Sequence, residues 1–161
     1  MDRHSAVDSP SELASGSGKT RTRFVQKEGF YAVHHWTEDD EPEHPILVLD
    51  DAAVFRGNSS GNEVRKEGPV YESQPGGTPA IPTGRVFVRF AETVKASARE
   101  KDIRSAGYRV VQALPWAPQA VWVEADTGGV VESLRNIDRL ERIKDVVHVE
   151  PQMLMPAATR V

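Results

Sequence analysis

Cysteine is absent from the 161 residues. That excludes a disulfide framework, a thiolate nucleophile and a cysteine-rich zinc site. An apolar leader is missing too, since Met1-Asp-Arg-His-Ser-Ala-Val-Asp8 is largely polar and does not read as a secretory signal. No run approaches the roughly 18 apolar residues that a membrane span needs. The expected location is therefore cytoplasmic, or secreted if the chain is excised from a longer precursor, and no membrane partner is expected. Basic charge is also short. The net charge is −4, with 8 Lys+Arg against 14 Asp+Glu in residues 1–80 and 12 against 10 in residues 81–161. Neither half carries the dense basic field of a nucleic-acid binder. No stretch brings a base, a nucleophile and an orienting group into evident proximity. An enzyme, catalytic residues and a cofactor are thus not expected.

What is present is ordinary for a soluble globular protein: 39% hydrophobic and 27% charged residues, in a length that suits one domain plus a small extra layer. Residues 1–22 are rich in Ser, Gly, Asp and Arg and are expected to be a disordered tail. Within them, Gly16-Ser-Gly-Lys-Thr20 resembles the end of a phosphate-binding loop, but Leu13 stands where the first glycine is needed and no strand is expected ahead of it. A flexible linker is the better reading. Residues 23–72 hold short strand-like runs at Phe24-Val25, Phe30–Val33, Ile46–Leu49, Ala53–Phe55 and Pro69–Tyr71, separated by turn residues, and predict a small β-rich segment. His34, His35 and His44 flank the acidic run Glu38-Asp-Asp-Glu-Pro-Glu43. A loose metal site is conceivable there, but adjacent strand residues point to opposite faces, so a solvated acidic loop or a docking surface for a basic partner is preferred. Residues 73–83 contain three prolines and two glycines and predict a linker.

From Gly84 the pattern sharpens. Gly84–Phe90 alternates Val86, Val88 and Phe90 with Arg85, Phe87 and Arg89, which predicts a half-buried strand. Residues 92–106 predict a helix with Ala96, Ile103 and Ala106 on one stripe, closed by Gly107 in the left-handed conformation. Tyr108–Leu114 and Gln119–Ala125 predict two strands joined by the stiff turn Pro115-Trp-Ala-Pro118. Asp126 or Thr127 caps a second expected helix bearing Val130, Leu134, Ile137 and Leu140, and Val146–Glu150 is a last strand that Pro151 ends. The order β-α-β-β-α-β predicts an α+β, ferredoxin-like sandwich over 84–152: four antiparallel strands with two helices on one face. Residues 153–161 follow as an extended tail.

Strand parity divides the side chains. With Val86, Val88, Val110, Val121, Val123, Val147 and Val149 under the helices, the other face carries Phe87, Arg89, Val111, Ala113, Trp122, Glu124 and His148. An indole buries on the order of 150–250 Å², so leaving Trp122 wet forgoes roughly 4–6 kcal/mol at about 25 cal/mol/Å². Either the N-terminal segment or a partner protein is expected to cover this face.

Gly84-Arg-Val-Phe-Val-Arg-Phe90, Ala106-Gly-Tyr-Arg-Val-Val111, Pro115-Trp-Ala-Pro-Gln-Ala-Val-Trp-Val-Glu124 and Asp145-Val-Val-His-Val-Glu-Pro-Gln152 together resemble the propeptide, or inhibitor, domain of subtilisin-like serine proteases. The resemblance covers residues 84–158, about half the chain. It implies an inhibitor, and also a folding chaperone, of such a protease. Its free sheet face would dock on the enzyme, with Trp116 of the neighbouring turn added to the seven residues above. Met153, Leu154, Met155, Pro156, Ala157 and Ala158 would then lie in the substrate cleft, with Ala158 near the main specificity pocket and Leu154 or Met155 in an apolar pocket upstream. Extended peptides gain affinity by backbone pairing and specificity from alternate side-chain pockets. The turn Pro115–Pro118 lacks the acidic residue common at this point in the family, and Glu124 is the candidate substitute. No protease domain follows within the chain, so the expected partner is a protease met in trans or the parent precursor. An interaction or ligand-binding regulatory module of the same expected fold is the alternative. An RNA-binding module is disfavoured because the third strand lacks the Arg/Lys-Gly-Phe run such modules carry.

Overall fold

The computed structural model describes residues 9–15, 22–37, 44–58, 66–73 and 77–156. Strands dominate it: β1 (Glu12–Ser15), β2 (Thr22–Val33), β3 (Leu47–Leu49), β4 (Ala52–Arg56), β5 (Glu67–Glu72), β6 (Pro79–Phe90), β7 (Tyr108–Ala113), β8 (Ala120–Ala125) and β9 (Val146–Leu154). The helices are short: a 3₁₀ turn (Ala96–Arg99), α1 (Glu100–Ser105), α2 (Val130–Arg135) and α3 (Ile137–Glu141). Of the described residues, strand makes up 50% and helix 17%. The strands follow the hydrogen-bonded order β3-β4-β2-β5-β6-β8-β7, with β1 beside β2 and β9 beside β6.

This corrects the expected α+β, ferredoxin-like sandwich. The chain builds a nine-stranded, mostly β sheet in place of a four-stranded sheet carrying two helices. Two local causes account for the difference. The stretch 79–83, expected to be linker, is the first part of the twelve-residue β6; Pro79 heads the strand, where a missing N–H is tolerated, and pairs in register with Glu72 of β5. The runs in 23–72 are likewise full sheet members, Phe24-Val25 and Phe30–Val33 being joined into one twelve-residue strand, β2. The helices are also shorter than expected. The first starts as a 3₁₀ turn at Ala96, and Asn136, with φ −106° and ψ 12°, divides the second.

The described residues form two compact units, one from those within 9–13, 23–83 and 153–156, the other from 14–15, 22 and 84–152. In the first, β2 and β4 pair with Tyr31 opposite Phe55, Ala32 opposite Val54 and Val33 opposite Ala53. Directly opposed residues share a face, so each face has its own apolar cluster. Ala32, Ala52, Val54, Val70 and Ile81 form one, with Phe30, Leu47, Leu49 and Leu154 packed on it. Tyr31, Val33, Ala53 and Phe55 form the other, with Trp36 against it. A sheet apolar on both faces reads as near-continuous hydrophobic runs, which is how Phe30–Val33 and Ala52–Phe55 look. Part of the expected disordered tail is ordered: Leu13, in β1, is only 7% exposed, and the Tyr71 hydroxyl donates to the Pro10 carbonyl at 2.6 Å. β1 stands directly ahead of the phosphate-loop-like run, where no strand was expected; that run, 16–20, and the acidic run 38–43 themselves lie outside the described residues.

In the second unit, β6 pairs antiparallel with β8 (Val86 opposite Val123, Phe87 opposite Trp122, Val88 opposite Val121). Val86, Val88, Phe90, Ile103, Tyr108, Val121, Val123, Leu140 and Val149 build its core with Ala96 and Ala106. The helix stripe Ala96, Ile103, Ala106 is thus buried as its spacing predicts. Gly107 stands just past α1 at φ 92°, the left-handed region that glycine enters without steric cost. Val110 and Val147, expected in this core, are instead exposed: Val110 lies on β7, the last strand of the path, and Val147 at the start of β9, where less of the chain covers them. No helix among the described residues is long and apolar enough to cross a membrane.

Candidate functional site

The alternation of β6 and β8 sets Phe87 and Trp122 against each other on the face away from the Val86/Val123 core. Their ring centroids are 5.3 Å apart at 63°, the edge-to-face arrangement that aromatic quadrupoles favour. His148 of β9 packs its ring on Phe87 from the other side, 6.1 Å between centroids at 62°. The Arg85 guanidinium lies 5.7 Å from the Trp122 ring, within cation–π range, and donates to Gln112 Oε1 at 3.2 Å. Phe87, Trp122 and His148 are all half-buried. His148 Nε2 lies 3.0 Å from Glu150 Oε2.

Charges frame this aromatic row. Arg109 of β7 grips Glu124 Oε1 of β8 with Nε at 2.9 Å and with Nη2 as well. Glu124, the candidate substitute for the family's acidic residue, is therefore held by a cation of its own sheet. Arg89 is exposed. Besides His148, the described charges on the face are Arg85, Arg89 and Arg109 against Glu124 and Glu150.

A β-bulge changes the expected composition of the face. Arg109 is opposite Glu124 and Val110 opposite Val123, but Gln112 then pairs with Trp122 and Ala113 with Val121, the register shifting between Val110 and Gln112. Val111 is the extra residue. Gln112 consequently joins Trp122 on the aromatic face, while Ala113 turns to the Val121 side. Strict alternation misses this, and the one signal in the sequence is the apolar pair Val110-Val111, which breaks the period of two. Trp116 is 80% exposed in the Pro115–Pro118 turn. No known family, curated protein or solved structure matches the chain.

The last strand extends further than expected. β9 continues through Pro151 to Leu154, so Met153 and Leu154 are strand residues, and Leu154 packs on the Ala32/Val54/Ile81 cluster. Met155 is 45% exposed and Pro156 half-buried. Ala157 and Ala158 lie outside the described residues.

His34 and His35 lie in the turn that follows β2 and not on a strand, so the alternation expected to part them does not apply, yet their surroundings differ. His35, at φ 55°, points its Nδ1 at Asp51 Oδ2, 2.6 Å away. His34 buries its Nε2 with no hydrogen-bond partner. Its pKa falls from 6.5 to about 4, chiefly through burial and then through His35 and Lys66, against the opposing pull of Asp51. No cluster of three or more His, Asp or Glu able to hold a metal occurs among the described residues.

Proposed function

We propose that the chain is a non-catalytic inhibitor of a subtilisin-like serine protease. It docks through the Phe87/Trp122/His148 face and presents the residues after β9 to the substrate cleft. The observation that carries this assignment is the aromatic row itself: Phe87 in contact with Trp122 on one side and His148 on the other, with an arginine over the indole, all three rings left half-covered on a sheet face. Trp and Arg dominate the energetics of protein interfaces when a partner desolvates them. Beside them a strand runs on into the uncharged Met155-Pro156, a form suited to pairing with a cleft-edge strand. The framing ion pair Arg109–Glu124 supports a protein partner over a nucleic acid, since it neutralises charge that phosphate binding would need free. Cytoplasmic residence goes with an inhibitor acting in trans, and secretion with a segment excised from a longer precursor.

The deciding experiment is titration of the purified chain against a panel of subtilisin-like proteases, alongside Trp122→Ala and a form lacking residues 153–161. At least one protease is expected to be inhibited, with affinity reduced about thirtyfold or more by Trp122→Ala, the effect of losing a hot spot of about 2 kcal/mol. The truncated form is expected to lose inhibition while keeping its fold. Failure to inhibit any protease removes the assignment, and tight, steeply salt-dependent binding to single-stranded RNA replaces it.

A further inference from the structure

Leu154 gives the N-terminal unit a role. β9 begins among the core residues of one unit, through Val146 and Val149, and ends with Leu154 packed against Ala32, Ala52, Val54, Val70 and Ile81 in the other. Met155, the next residue, is 45% exposed. Leu154, four residues beyond Glu150, where the strand pattern in the sequence ends, is thus the last described side chain packed in that cluster, and Met155 turns outward beside it.

A peptide bound as a strand has its side chains alternating between two sides, and a slip of one residue exchanges every side chain that faces the pockets for one that faces away. The register of a cleft-bound tail thus depends on where the chain is last held. We infer that Leu154 is a positioning residue. Seated in the apolar cluster of the N-terminal unit, it fixes the register in which the following residues meet a protease, and Met155 is the first side chain free to enter a pocket. Leu154 itself is withdrawn from the pocket-filling role. This inference rests on the inhibitor assignment above and adds to it a function for the N-terminal strands: they hold the start of the tail.

The test uses the full chain with a protease that it inhibits, and reads two quantities: the inhibition constant, and by mass spectrometry the bond or bonds cut in the tail on prolonged incubation. Preorganisation of a bound segment contributes affinity by sparing its ordering cost. Leu154→Ser is expected to raise the inhibition constant about tenfold or more and to spread a single cut over several neighbouring bonds. Leu154→Met, similar in volume and apolar, is expected to restore both. If Leu154→Ser disrupts the N-terminal unit, as judged by lost amide protection at Val54 and Val70, the milder Leu154→Ala is read in its place. The same constant and the same single cut in the variant as in the wild type overturn the anchor role while leaving the inhibitor assignment standing. A wild-type chain that inhibits no protease removes both.

Discussion

His34 stands just after the end of β2 with its Nε2 buried and unpartnered, so its ring is kept neutral at a cost that depends on pH. Its folded pKa of about 4 lies below the 6.5 of the unfolded chain, and the unfolded state therefore binds more protons between those values. Stability is complete above about pH 6.5 and falls as the pH drops toward 4, by roughly 3 kcal/mol in all. Urea midpoints followed over that range should decline more steeply in the wild type than in His34→Leu, and parallel curves would refute the assignment. The sequence placed two histidines side by side but did not show which one is covered, because the two lie in a turn after β2, where the strand period of two gives no guide. The pair Phe87 and Trp122 was more legible: alternation alone placed both on one face. Gln112 was not, because the bulge at Val111 is a property of pairing with β8 and leaves only a faint trace in β7.

At the scale of elements, α2 spans six residues with no side-chain cap, too short to be stable by itself. Cross-links to strands hold it. The Ser133 Oγ accepts the Ala125 N–H of β8 at 2.9 Å, and the Ser133 carbonyl accepts the Tyr108 hydroxyl of β7. Ser133 is fully buried, so Ser133→Ala leaves the Ala125 N–H without its acceptor and should cost about 1–3 kcal/mol, read as a lower urea midpoint at unchanged m-value. An unchanged midpoint would mean that the helix needs no such tie. Packing at its start is equally close: at Gly84 (φ 93°) an added Cβ would meet Val130 Cγ2 at 3.4 Å. Periodicity foretold the apolar stripe through Leu134 and Leu140 but not the break at Asn136. The start of β6 was hidden for another reason. Pro and Gly mark linkers well, yet Pro79 marks a strand's first residue when a neighbour such as β5 supplies the pairing.

At the scale of the whole molecule, the C-terminal pattern drew attention to four strands and two helices, while the N-terminal runs read singly as fragments. Their membership of the sheet comes from long-range pairing, such as Tyr31 with Phe55 and Gln26 with Tyr71, which no local window contains. With 50% strand and 17% helix among the described residues, far-ultraviolet circular dichroism should show a β-type spectrum with a minor helical component. A helix-dominated spectrum would contradict the architecture. The three tryptophans fall into three surroundings: Trp36 against Phe55 with its Nε1 buried, Trp116 open to water, and Trp122 between Phe87 and Arg85. The protein consequently carries its own set of optical reporters. A soluble quencher will reach Trp116 first, and once that emission is suppressed, what remains registers the N-terminal core through Trp36 and events on the aromatic face through Trp122, without any dye attached.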